Sequence, residues 1–174
     1  MTDVWTAIRT KRMVRRFEDR PLAPEHLHRI LDAGRHAGSS KNTQQWDFVA
    51  VEDRATLRRL AAVGPYAAHV AGAAAAIGLV TPDPTIPGAS LSLVWDAGLA
   101  AQNMMLAAWE LGIGSCPATV YEQSIAREVL GIPSDRWCGY VLSFGYPADP
   151  EDLTRPASAG GRKPLDEVLH RERW

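Results

Sequence analysis

Residues 91–111 (LSLVWDAGLAAQNMMLAAWEL) constrain the fold more than any other stretch of this chain. They predict its longest helix, stopped by Gly112, Ile113 and Gly114, and the run is apolar nearly all round. A helix without a wet face must be buried among other elements, so this one is expected at the centre. Asp96, Gln102, Asn103 and Glu110 interrupt it. The other long apolar run, residues 70–80, is too short for a bilayer, which takes about 20 apolar residues. Both read as core elements of a soluble protein.

The flanking pattern supplies layers to bury that helix. Thr2 or Asp3 caps a first helix in which Val4 and Ile8 share a face. Pro24 in a first turn, followed by Glu25, starts a second helix carrying Leu27, Ile30, Leu31 and Ala33. Residues 46–51 (WDFVAV) and 137–144 (WCGYVLSF) read as strands, 71–80 as a buried strand, and 115–121 (SCPATVY) as a short strand or turn. Short helices are expected at 55–63, at 123–130 before Gly131, and at 164–170. No repeat or composition break divides the chain, so residues 1–174 read as one domain. The loose alternation favours a single sheet with helices on both faces, α/β or α+β.

Charge narrows the partners. Nineteen basic residues nearly balance twenty acidic ones, a formal net charge of −1, which argues against wholesale attraction to nucleic acid or anionic membrane. Cys116 and Cys138 make no disulfide framework and read as reduced thiols of a cytosolic protein. The start, MTDVWTAIRTKRM, carries charges where a signal peptide needs an apolar run, so a cytoplasmic location is expected. His26, His28, His36, His69 and His170 form no metal-binding spacing with each other or with the cysteines, so no metal site is expected. Neither GxGxxG nor GxxxxGK[ST] occurs.

Four segments have the chemistry to hold a ligand, and each also has a plainer reading. Arg9, Lys11, Arg12, Arg15, Arg16 and Arg20 cluster as a phosphate grip or a solvated charged face. Residues 38–46 (GSSKNTQQW) offer hydroxyls and amides to sugar hydroxyls or an imide edge, or form an ordinary polar turn. Residues 112–119 (GIGSCPAT) let a flat ligand approach the backbone, or simply cap the long helix. Arg162, just before an expected helix start where the helix dipole disfavours a cation, is a second phosphate anchor from far along the chain, or a stray basic residue. Cys116 has no base beside it in any motif, so it is not read as a nucleophile.

Taken in order, these segments resemble the nitroreductase family of flavoproteins over almost the whole chain. Residues 11–17 (KRMVRRF) look like the family's R-R-S-x-R/K-x-F motif, and 38–48 (GSSKNTQQWDF) like its P-S-S-x-N-x-Q-P-W-x-F loop. Residues 96–114 are similar to its long central helix, and Gly145-Tyr146-Pro147 and 162–168 (RKPLDEV) to its closing motifs. The resemblance implies an α+β fold with a central mixed or antiparallel sheet flanked by helices and built around a homodimer interface.

It also implies FMN as cofactor and NADH or NADPH as reductant. Hydride passes through flavin N5, ping-pong, to an electron-poor acceptor such as a nitroaromatic or quinone, with no catalytic side chain. Lys11, Arg12 and Arg162 would hold the phosphate, Met13 would stand in the same motif, and Arg15 would sit near the pyrimidine edge. Ser39, Ser40, Asn42 and Gln44 would line the ribityl chain and ring edge, and Pro117, Ala118 and Thr119 would present backbone near N5 and O4. The chain departs from the pattern at Met13, where Ser is usual, at Gly38 and Gln45, where prolines are usual, and at Gly160, where some members carry Lys. It is short at residues 81–90, where longer members insert a roof, so an open or differently roofed pocket is expected. The rival reading is a flavin-sequestering or sensing protein of the same fold.

Overall fold

A computed structural model describes residues 3–156 and 161–174. In chain order the elements are α1 (Val4–Thr10), α2 (Pro24–Arg35), β1 (Asp47–Val51), α3 (Arg54–Leu60), β2 (Ala75–Pro82), α4 (Ser92–Glu110), β3 (Gly114–Thr119), α5 (Gln123–Leu130) and β4 (Arg136–Gly145). The strands make one antiparallel sheet in the order β1-β2-β4-β3.

Strand alternation builds a core on each face of the sheet. On β2, Ala76 faces Leu57, Leu60 and Val70 from the α3 side, together with Ala126 of α5. Its neighbours Ala75 and Ile77 face Ile30 of α2 and Met104 of α4. The expected two-sided sandwich is therefore present. One register shift occurs: Leu79 pairs with Tyr140 and Val80 with Cys138, leaving Gly139 as a bulge. A Cβ at Gly139 would lie 2.2 Å from the Trp137 ring, so only glycine fits. Gln123 repairs the disturbed ladder, donating to the Cys138 carbonyl at 2.7 Å and accepting from its N–H at 3.2 Å.

Three expectations change. The strand expected at 71–80 runs Ala75–Pro82, and Ala68–Gly72 instead forms a 3-10 turn ahead of it. Alanine has little preference for strand, and this turn packs Val70 inward. The helix expected at 164–170 is a single 3-10 turn, Leu165–Glu167. Residues 161–174 are exposed throughout, and a short helix with nothing to pack on does not hold together. Part of the loop at 155–163, with Gly160, lies outside the described residues.

The third change concerns α4. Its Ala97, Ala100, Met104 and Ala108 are buried, but Leu91, Val94, Trp95 and Leu99 form an exposed apolar stripe, with Trp95 70% and Leu91 91% exposed. Among the described residues nothing covers this stripe. Among the described residues, no helix is long and apolar enough to cross a membrane.

Candidate functional site

The N-terminal cations are placed by backbone pairing. After α1 the chain runs extended beside β3: Val14 N donates to Ser115 O at 3.0 Å, Met13 bridges Ser115 in parallel, and Phe17 bridges Pro147. Val14 is buried against Gly114, where a Cβ would stand 2.6 Å from the Val14 side chain. Alternation about Val14 leaves Met13 and Arg15 exposed at the outer edge of β3.

Lys11 sits half-buried here, its Nζ 3.5 Å from Met13 Sδ. Burial pushes its ammonium below the usual lysine range; the Cys116 thiolate form opposes this, and the Arg12 and Arg162 cations add to it. The Arg162 charge, from far along the chain, thus bears on Lys11. Arg12 is committed differently. Its Nη1 donates to the Arg9, Thr10 and Lys11 carbonyls at 3.1, 2.9 and 3.1 Å, and its Nε to the Arg155 carbonyl at 2.8 Å. It caps α1 and ties that helix to the turn after β4.

That turn is the part of the site that sequence reasoning missed. Arg155 binds Asp149 Oδ2 at 2.5 Å and Asp152 Oδ1 at 2.7 Å, while Leu153 O accepts from Arg12 N at 3.1 Å and from Trp109 Nε1 at 3.3 Å. Its signal was the acidic run Asp149, Glu151, Asp152 three to six residues before an arginine.

β3 is an edge strand, so beyond Ser115 its outer side has no strand neighbour among the described residues. Pro117, which lacks an N–H, suits such an edge. It lines an apolar groove of about 730 Å³ with Trp95, Leu99, Met105, Tyr140 and Leu142. Ala118 is buried, Thr119 exposed and Cys116 buried. Burial pushes the Cys116 thiol up, against the pull of Arg15 and Lys11, so it stays protonated at neutral pH and is no nucleophile.

The polar loop lies elsewhere. Ser40–Asn42 form a 3-10 turn whose Ser40 N–H donates to the buried carboxylate of Asp96 at 3.0 Å. Gln44 N donates to Ser39 Oγ at 3.0 Å. Lys41, Asn42 and Gln44 all hold left-handed backbone, with φ 51°, 56° and 49°. Such conformations cost of order 1–3 kcal/mol each in non-glycine residues and gather at ligand sites. Asp96 stands thirteen residues before Trp109 on α4, about 20 Å at 1.5 Å per residue. The structure therefore sets Lys11 and Arg12 toward the C-terminal end of α4 and Ser39, Ser40, Asn42 and Gln44 at its N-terminal end, while Pro117 shares its groove with Trp95 and Leu99, which also border the Ser39–Ser40 loop.

The sequence profile described as the nitroreductase family matches residues 8–69 and 87–146, which hold both ends of this arrangement. The chain belongs to the nitroreductase family. It is 35% identical, over all of both chains, to a protein of Archaeoglobus fulgidus assigned as an NADH dehydrogenase/NAD(P)H nitroreductase. A Bacteroides thetaiotaomicron protein assigned the same way superimposes with a TM-score of 0.85 at 27% identity over the full length of both. A protein of Desulfovibrio desulfuricans assigned as a nitroreductase, solved in complex with FMN, gives 0.80 at 28% identity, covering 100% of this chain and 99% of that one. The nitroreductase fold expected from the sequence is the fold observed. Where the family usually has Ser, Met13 offers Lys11 a thioether instead of a hydroxyl.

Proposed function

We propose that the protein is an FMN-dependent NAD(P)H oxidoreductase, of one domain, whose flavin sites are each assembled from two copies of the chain. The observation that carries this reading is the exposed apolar stripe Leu91, Val94, Trp95 and Leu99, which borders both the groove beside Pro117 and the loop at Ser39 and Ser40. An antiparallel contact between the α4 helices of two copies buries that stripe. It also sets the loop of each copy beside the Pro117 groove of the other.

The residues present fit FMN. Lys11 and Arg162 are held within charge range although like charges repel, and a phosphate dianion relieves that repulsion. The groove beside Pro117 is lined by apolar residues, as an isoalloxazine ring requires. When bound, FMN supplies the hydride chemistry at its N5.

The chain's own task is then to bind and orient. Lys11 and Arg162 hold the phosphate, and Arg12, with Nε and Nη1 committed to carbonyls, chiefly fixes the segment that carries them. Arg15 places positive charge where the ring gains negative charge on reduction. Ser39, Ser40, Asn42 and Gln44 reach in from the second copy, and Pro117, Ala118 and Thr119 offer backbone at the edge of β3. NAD(P)H and a flat, electron-poor acceptor use one face in turn, so positioning and exclusion of water replace side-chain acid–base catalysis.

The test is absorbance of the purified protein followed by anaerobic addition of NADH or NADPH. A yellow protein that bleaches is expected. A yellow one that does not bleach indicates flavin storage without turnover, and a colourless one that cannot be loaded with FMN overturns both.

A further inference from the structure

Among the described residues two buried side-chain nitrogens lack a hydrogen-bond partner, Arg127 Nε and His69 Nε2. Arg127 is otherwise engaged, its Nη2 donating to the Ser134 and Arg136 carbonyls at 3.3 and 2.9 Å. His69 is the unexplained one. It lies in the Ala68–Gly72 turn, only 9% exposed, with Nδ1 2.8 Å from Ser143 Oγ. Ser143 Oγ in turn donates to the Cys116 carbonyl at 3.1 Å.

A hydroxyl has one proton, and this one is used on Cys116. With that proton on Cys116, Nδ1 carries the imidazole hydrogen and Nε2 presents a bare lone pair. The electrostatics agree. Burial first, and then the Arg15 cation, push the His69 pKa down and keep the ring neutral. A lone pair is attracted to that cation, whereas an Nε2–H would be repelled by it.

Arg15 is the complementary half. It is exposed, and it takes part in none of the salt bridges among the described residues. It follows Val14, whose N–H bonds Ser115, the residue before Cys116, so Arg15 stands on the segment that runs beside the strand Ser143 ties to His69. We propose that His69 is the positioning residue for Arg15, its Nε2 accepting a guanidinium N–H when flavin is bound and so fixing the cation's orientation. The chain Cys116 carbonyl, Ser143, His69, Arg15 then ties β3 and the cation into one unit. A guanidinium held at one corner keeps its remaining donors in a fixed plane, which a freely rotating side chain does not. This inference rests on reading the site as a flavin site.

The test is a double-mutant cycle on FMN dissociation constants, read by flavin fluorescence during titration of the apoprotein with FMN. His69→Leu is expected to weaken binding about tenfold, in line with a hydrogen bond to a charged group. The His69→Leu/Arg15→Gln pair should then bind no more weakly than Arg15→Gln alone, and His69→Gln, whose Oε1 still accepts, should recover most of the loss. Losses that simply add overturn the proposal while leaving the flavin reading intact; a wild-type protein that binds no FMN overturns the flavin reading itself.

Should His69→Leu fail to fold, nitrogen NMR of the histidine-labelled wild type decides. Nε2 should be unprotonated and should shift on FMN loading, and the shift should vanish in Arg15→Gln. A protonated Nε2, or one that does not respond to FMN, contradicts the proposal.

Discussion

The two ends of α4 are held in place by opposite means. At the C-terminal end, extended backbone from residues 11–17 is stitched to β3 and to the turn after β4 by bonds between distant parts of the chain, with Val14 buried at the seam. No residue of that segment has a positive φ. At the N-terminal end, three left-handed non-glycine residues are crowded into four positions and pinned to the rest of the chain through Asp96. The first region is stable by construction. The second stores strain, and such strain persists only where surrounding contacts over-determine it. A loop of this kind makes physical sense as the part that meets a ligand and a second subunit.

The comparison can be broken most forcefully at the seam. Gly114→Ala places a methyl 2.6 Å from Val14, a β-branched, buried side chain that cannot swing aside. Overpacking of this kind should cost about 3 kcal/mol in thermal or urea unfolding. FMN affinity should fall with it, because the cations move. A smaller effect is expected at the other end. Asp96→Ala leaves the Ser40 N–H without its carboxylate, so FMN titration should show a loss of about 2 kcal/mol in binding, the usual worth of a hydrogen bond to a charged group. The smallest effect has the opposite sign. Lys41→Gly relieves one left-handed residue and should stabilise the apoprotein by up to about 1 kcal/mol, with FMN affinity little changed. A destabilised Lys41→Gly would mean that the loop is not strained there.

What could be read in advance was what is local. The α2 start at Pro24 and the α5 end at Gly131 follow from residues adjacent to them. The motif around residues 38–46 pointed to a loop, and the loop is there. Features that depend on distant partners were not legible. The Ser40 N–H that opens the left-handed stretch is held by Asp96 of α4, fifty-six residues later. Arg12 looked like a phosphate ligand because nothing beside it announces Arg155, whose carbonyl it binds from 143 positions away. His69 gave no motif, since its partner Ser143 lies 74 residues on. The exposed stripe on α4 was hidden for another reason: a helix apolar all round looks the same whether neighbours come from one chain or two.

The central claim is that each flavin site takes its cations from one chain and its loop from another, and a mixed dimer tests it directly. One differently tagged copy carries Lys11→Glu/Arg162→Glu and the other Asn42→Asp/Gln44→Glu, so that neither homodimer should hold FMN. In the purified mixed dimer, the account predicts one FMN per dimer, bleached by NAD(P)H, because one site then combines intact cations with an intact loop. A mixed dimer that binds no flavin, beside a wild type that does, would place both halves in a single chain and contradict it.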